Sequence, residues 1–367
     1  MKAIIAAAGT AGHINPGISI ANKIMEEEPN SKIIFIGTER GLEKDLVPRA
    51  GYELKTIDAY GLSFTRPDKL LKTLKGFGEA KKIIKEFKPD IVIGTGGYIC
   101  GAVITEANKL NIPTVINESN AFPGKAVKML LNRTDEVLVG FEEAKERLPK
   151  AKKIVVTGNP TKMGKITLSN NDKMGLIKKI GFNPEEPILL VFGGSQGAKA
   201  INDAIIKIIK SKLNQSYQII WAAGPVQYDI IKEDLKLSKI DIENVFNAKI
   251  YPYIYNMEEI MNISDLFICR SGAMTINEVS IVGKPAIFIP LPGVSQNHQE
   301  YNAKVLEKVG AAKIILNKDL ETIDLNSYIE NLICDKRLLE DMGKKARKKA
   351  NINALNLIYT ELKKLTK

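Results

Sequence analysis

The chain has 367 residues, 44% hydrophobic and 26% charged, enough to bury large cores and, at roughly 100–200 residues per domain, to form two of them. Its formal charge is +11, from 53 Lys and Arg against 42 Asp and Glu, an excess that suits anionic small substrates or an anionic membrane surface. Nucleic acid is disfavoured, because the lysines are scattered along helix-like faces without interleaved aromatics or a reading motif, and no run of about 18 apolar residues exists to span a bilayer.

Apolar strand-like runs alternate with helical-period runs from end to end, the pattern of parallel sheets with crossover helices. The first half offers strands at Lys2 to Ala8, Lys32 to Ile36, Ile91 to Ile93, Thr114 to Ile116, Glu136 to Val139 and Ile154 to Val156. Gly9, Gly12 and His13 interrupt the apolar N-terminus too early for a secretory segment, so it reads as the first strand of a cytoplasmic protein. The loop after that strand runs Ala8-Gly9-Thr10-Ala11-Gly12-His13-Ile14-Asn15-Pro16-Gly17, with Asn15 as a plausible N-cap and Pro16 as a first helical residue. His13 is one of two histidines and stands where the carboxyl edge of a sheet forms a cleft. Two readings stay open: a group that acts on a ligand, or one that orders the loop by bonding a backbone carbonyl.

Between Lys69 and Lys88, Leu70, Leu71, Leu74, Phe77, Ile83, Ile84 and Phe87 fall at helical spacing among lysines. Gly76 and Gly78 should break this helix in its middle, leaving Ile83, Ile84 and Phe87 to pack inward and Leu71, Leu74 and Phe77 exposed. Gly94-Thr95-Gly96-Gly97-Tyr98 reads as a simple tight turn from strand to helix. Asn117-Glu118-Ser119-Asn120 ends the next strand with short polar groups suited to sugar hydroxyls or to capping. Gly158-Asn159-Pro160 and Ser169 to Lys173 lack both periods and mark the connection between domains.

The second half begins again with strands at Pro187 to Phe192, Gln218 to Ala222, Asn244 to Ile250, Leu266 to Cys269 and Ala286 to Ile289. Gly193-Gly194-Ser195-Gln196-Gly197-Ala198-Lys199 is a strand-to-helix glycine loop without the G-x-x-x-x-G-K-[ST] spacing of a nucleotide triphosphatase, though a diphosphate could lie across it. Cys269-Arg270-Ser271-Gly272-Ala273-Met274-Thr275 is a second such junction, whose helix start presents unpaired N–H groups to an anion. Glu278 lies three residues past Thr275, either as a capping-box partner or as a ribose ligand. A loop from Gly293 carries Gln296, Asn297, His298 and Gln299 toward the same edge. Leu338 to Leu365 is a Lys-rich amphipathic pattern broken near Asn351-Ile352-Asn353. Cys100, Cys269 and Cys334 are too widely spaced, without a C-x-x-C, for a disulfide framework or zinc site.

Taken together and in this order, the histidine-bearing glycine loop, Gly96-Gly97-Tyr98, Glu118-Ser119-Asn120, Gly158-Asn159-Pro160, Gly193 to Ala198, Cys269 to Ala273, and Gln299 with Asn302 resemble the MurG family. These are inverting transferases that move N-acetylglucosamine from UDP-N-acetylglucosamine to the muramyl 4-hydroxyl of lipid I, giving lipid II for peptidoglycan synthesis and so serving cell shape and division. The resemblance implies the α/β GT-B type fold, two Rossmann-like domains facing each other across a cleft. It suggests an acceptor and membrane-associating domain over 1–160, a UDP-sugar donor domain over 161–345, and a C-terminal helix over 346–367 packing back toward the first.

By the same resemblance, Ser195 and Lys162 would meet phosphate, the Ile254 backbone the uracil, and Ala273, Met274 and Thr275 the diphosphate. Glu278 would meet the ribose and Gln299 the sugar, while Thr10, Ala11, Gly12 and Asn120 line the opposite wall. Tyr98, Glu118 and Asn302 are implied at the acceptor or cleft, His13 as base, and Leu71, Leu74 and Phe77 as a membrane patch. No metal and no cofactor are implied, UDP-N-acetylglucosamine being a substrate. The implied partners are lipid I, the anionic inner face of the cell membrane, where the enzyme would be peripheral on the cytoplasmic side, and other cell-wall synthesis proteins; nucleic acid is not among them. Ala11 stands where the family usually has glycine, which puts a left-handed backbone there in question, and Lys162 and Asn297 replace a common arginine and aspartate.

Overall fold

The computed structural model describes residues 1–59, 67–164 and 166–366, with the side chains of residues 67–74 also outside the description. It forms two compact units, one made of Met1–Lys162 with Asn351–Lys367, the other of Met163–Ala350.

Unit 1 is built on seven parallel strands: β1 (Lys2–Ala7), β2 (Lys32–Gly37), β3 (Glu53–Thr56), β4 (Ile91–Gly96), β5 (Thr114–Glu118), β6 (Glu136–Val139) and β7 (Ile154–Val156), in the order β3-β2-β1-β4-β5-β6-β7. Its inner strands are apolar on both faces because helices cover both, so Ile4 and Ala6 face one core cluster while Ala3, Ile5 and Ala7 face the other. The edge strand β3 gives a weaker sequence signal, since Glu53 and Lys55 are solvent-exposed.

The helices α1 (Ala11–Glu27), α2 (Glu43–Arg49), α3 (Pro67–Phe87) and α4 (Ile99–Lys109) follow β1, β2, β3 and β4. The helix α1 starts at Ala11, ahead of the expected Asn15 cap, and Pro16 lies inside it. The helix α3 runs unbroken through Gly76 and Gly78. Gly76 is buried against the preceding chain, where a Cβ would come within 3.0 Å of the Asp58 carbonyl, so this glycine serves close approach rather than a break. Ile84 is fully buried, with Ile83 and Phe87 packed beside it. Phe77 was expected to be exposed; instead it packs on the same core, with the Lys109 ammonium 5.9 Å from its ring centre. The side chains of Leu71 and Leu74 lie outside the described residues.

The C-terminal pattern is two helices, broken around Asn351-Ile352-Asn353 as the sequence indicated. Lys336–Arg347 belongs to unit 2, and Ala354–Leu365 crosses back to unit 1, where Ile358 and Leu362 are buried with Ile14, Ile20 and Ile24 of α1. Tyr359 donates to Glu28 at 2.9 Å and Lys363 pairs with the same carboxylate at 2.7 Å.

Unit 2 repeats the plan with six parallel strands: β8 (Ile188–Phe192), β9 (Gln218–Ala222), β10 (Ala248–Tyr251), β11 (Leu266–Cys269), β12 (Ala286–Phe288) and β13 (Ala312–Ile314), in the order β10-β9-β8-β11-β12-β13. In each unit the strand order reverses once, between β1 and β4 and between β8 and β11. Chains leaving the two strands at such a point diverge to opposite faces, which opens a crevice at their carboxyl ends. The glycine loops after β1, β4 and β8 and the turn after β11 sit beside these two crevices.

Candidate active site

In unit 2 the crevice is bounded by the glycine loop after β8 and the turn after β11. The helix Ala273–Val282 begins directly behind Gly272, which has no side chain to cap it, so of the two readings of Glu278 the Thr275–Glu278 capping box does not form. The N–H groups of Ala273, Met274 and Thr275 therefore lack intrahelical partners at the positive end of the helix dipole. They adjoin a cavity of about 450 Å³ lined by Gly193, Gly194, Arg270, Gly272, Thr275 and Gln299 among others. Arg270 is 9% exposed, and its guanidinium donates to the carbonyls of Ile289 and Pro290 at 2.9 and 3.3 Å and to Asn317 Oδ1 at 2.9 Å. It thus holds the loop after β12 in place, and burial lowers its pKa. Gln299 accepts from Leu291 N–H at 3.0 Å through Oε1.

Glu278 is partly buried one turn along the same helix, and its carboxyl is pushed up to about 7, first by burial and then by the charge of Glu258. Glu258 is fixed by accepting the N–H groups of Gly164 and Ile166 at 2.8 and 3.0 Å. Ser195 is exposed at the tip of its loop, and Ile254 is buried in the turn that follows β10. Asn302 is fully buried, and its amide donates to the Ser271 carbonyl at 3.2 Å, which braces the turn after β11.

In unit 1 the crevice holds His13, in the first turn of α1. Ala11 is helical rather than left-handed; the positive φ falls on Gly9, at 96°, so alanine at position 11 costs the loop nothing. The ring Nδ1 of His13 lies 3.0 Å from the Ala8 carbonyl. A carbonyl can only accept, so Nδ1 carries the hydrogen and Nε2 of the neutral ring is left as the acceptor. The structure thus bears out the loop-ordering reading of His13 and leaves Nε2 outside that bond.

Thr95 Oγ1 donates to the His13 carbonyl at 2.8 Å. The pair Gly96-Gly97, expected to be a plain turn, serves close approach: a Cβ on Gly96 would collide with the His13 ring, and one on Gly97 would come within 2.6 Å of the Ala8 carbonyl oxygen. Glu118 accepts Asn120 N–H at 2.8 Å through one oxygen and Gly124 N–H at 2.8 Å through the other. It shapes the loop that presents Asn120. A small cavity of about 60 Å³ lies between this loop and His13, and Asn117, the first of the short polar groups noted at the end of this strand, lines it with its side-chain carbonyl buried. Thr10 is exposed at the mouth of the loop, Tyr98 is 36% exposed at the start of α4, and Lys162 is exposed at the end of the unit's first segment.

Two family models match the chain: the glycosyltransferase family 28 N-terminal domain over residues 3–139 and the family 28 C-terminal domain over residues 188–357. A protein of Caldanaerobacter subterraneus subsp. tengcongensis named UDP-N-acetylglucosamine--N-acetylmuramyl-(pentapeptide) pyrophosphoryl-undecaprenol N-acetylglucosamine transferase is 41% identical over 370 residues, covering all of both chains. One of the same name from Acetivibrio thermocellus is 42% identical over 372 residues, covering all of this chain and 99% of the other. Among solved structures, Acinetobacter baumannii MurG superposes with a TM-score of 0.78 at 26% identity over 99% of each chain. The UDP-GlcNAc 2-epimerase of Neisseria meningitidis reaches 0.66 at 15% identity over 99% of this chain and 100% of its own, a likeness of fold alone. These matches and the paired parallel sheets define a glycosyltransferase of the GT-B fold. Within that class, the chain belongs to the MurG family.

Proposed function

We propose that this protein transfers N-acetylglucosamine from UDP-N-acetylglucosamine to the 4-hydroxyl of the muramyl sugar of lipid I, with inversion, releasing UDP and lipid II. The observation that carries this reading is identity above 40% with transferases of that name along the whole chain. The geometry of each unit fits the chemistry. Direct displacement at the anomeric carbon breaks the bond to the β-phosphate as the acceptor oxygen forms the new one. The reaction needs a base for the hydroxyl proton and stabilisation of the departing diphosphate.

His13 takes the proton on Nε2, the nitrogen that the Ala8 carbonyl leaves unprotonated. The N–H groups of Ala273, Met274 and Thr275 receive the diphosphate, and Ser195 contacts phosphate. Glu278 accepts the ribose hydroxyls, the Ile254 backbone meets the uracil, and Gln299 meets the sugar. No helix among the described residues is long and apolar enough to cross a membrane. We propose that the enzyme acts peripherally on the cytoplasmic face, where its +11 charge would draw it to anionic lipid. The test offers the purified protein UDP-N-acetylglucosamine with either a short-chain lipid I analogue or diacylglycerol. Transfer to the former is expected; transfer only to diacylglycerol would overturn the acceptor assignment, and UDP-sugar binding without transfer to either would make the protein a sensor.

A further inference from the structure

We propose that Glu43 is a positioning residue for the transfer, coupled to His13 through the peptide bond between Ala8 and Gly9. The proposal rests on His13 as base and adds a group that never touches substrate. Glu43 is fully buried at the start of α2. A carboxylate there ordinarily turns to the open N–H groups of its own helix or to solvent. Instead, Oε2 accepts the Gly9 N–H at 2.9 Å, while Oε1 accepts the Thr38 N–H at 3.0 Å and the Thr38 hydroxyl at 2.7 Å. A second link joins the same two loops, from Leu42 N–H to the Gly9 carbonyl at 3.3 Å. Two glycines clear its path: a Cβ on Gly37 would lie 2.7 Å from Glu43 Cγ, and one on Gly41 would collide with the carboxylate.

The peptide gripped by Glu43 is the one that holds the histidine. Its N–H, on Gly9, points to the carboxylate, and its carbonyl, on Ala8, accepts from His13 Nδ1. Because the peptide is trans, its two polar groups point in opposite directions, so carboxylate, peptide and imidazole form one chain of hydrogen bonds. Bonding at one end of an amide polarises the other, so the negative charge of Glu43 strengthens the Ala8 carbonyl as an acceptor. That locks the Nδ1–H tautomer and steadies the positive charge that builds on the ring as Nε2 takes the acceptor's proton. The arrangement does for this imidazole what a directly bonded carboxylate does in a catalytic triad, with a peptide interposed.

The test compares wild type with Glu43→Gln, which keeps size but loses charge, alone and combined with His13→Ala. Three quantities are measured: kcat, affinity for UDP-N-acetylglucosamine, and the ring nitrogen shifts of His13, for which His298 is the internal control. Expected are a kcat lowered about tenfold or more, unchanged nucleotide-sugar affinity, a His13 tautomer mixture shifted toward Nε2–H, and a less than twofold effect on kcat in the His13→Ala background. An unmoved tautomer, or an equal loss of kcat in both backgrounds, would reduce Glu43 to general support of the fold and overturn the proposal. If Glu43→Gln does not fold, Thr38→Val removes one donor from the carboxylate and should move the tautomer the same way by less; no movement there counts against the proposal. Absence of lipid I turnover in wild type would overturn the parent reading, while the ring shifts would still decide the coupling.

Discussion

The two crevices of this molecule share a sheet plan and differ in what they carry. Unit 2 presents a bare helix start at Ala273, with no side chain capping it, whereas unit 1 presents an imidazole in the first turn of α1, fastened at Nδ1. Backbone N–H groups cannot titrate and give an anion a fixed positive field; an imidazole can take a proton and release it. In the proposed transfer one architecture thus supplies a site for the leaving group and a site for the base, and the loops after the two strands at each reversal decide which.

Breaking unit 1 should have the largest effect. His13→Ala is expected to lower kcat by roughly 10²–10⁴ with nucleotide-sugar affinity nearly unchanged, measured by turnover and by titration; near-normal turnover would remove His13 as base. Next comes Ala273→Pro in unit 2. Proline at a first helical position keeps the helix and removes a single N–H. A lost bond to a charged group is worth about 1.5–3 kcal/mol, so UDP should bind about tenfold to a hundredfold more weakly while uridine binds as before. Equal losses for both ligands would show a disturbed helix rather than a lost diphosphate donor.

The third prediction concerns pH. Burial and Glu258 raise the Glu278 carboxyl from its ordinary range to about 7, and ribose hydroxyls donate to the ionised form. Binding of UDP should therefore release a proton near neutrality, and affinity should fall by up to about tenfold per unit as the pH drops below 7. Glu278→Gln should flatten that profile. In the free protein the sign is opposite: the contribution of Glu278 to stability is fully present below its unfolded value near 4.5 and is lost as pH rises through 7. The smallest effect belongs to Ala11→Gly, which should cost about 0.5–1 kcal/mol of stability, read by chemical denaturation, and leave turnover intact because Ala11 is already helical.

What the sequence determined by itself was the plan: alternating apolar strands and amphipathic helices, the break near residue 160, the glycine loops at strand ends, and the motifs that place the chain in its family. Those features are local or periodic, and a parallel sheet buried on both faces writes itself as apolar runs. The edge strand Glu53–Thr56 was illegible because half its side chains meet water, and the unbroken helix through Gly76 because only tertiary structure brings Asp58 against that glycine. The same limit governed the sites. Sequence could name His13, Glu118, Asn302 and Glu278, but which of them face a ligand depends on partners far along the chain. Glu118 and Asn302 brace loops, Gly96 makes room for the imidazole and Gly97 for the Ala8 backbone, and Glu43 reaches Gly9 across 34 residues. Hydrogen bonds between loops have no period and leave no mark in composition; they exist once the sheets have set the loops side by side.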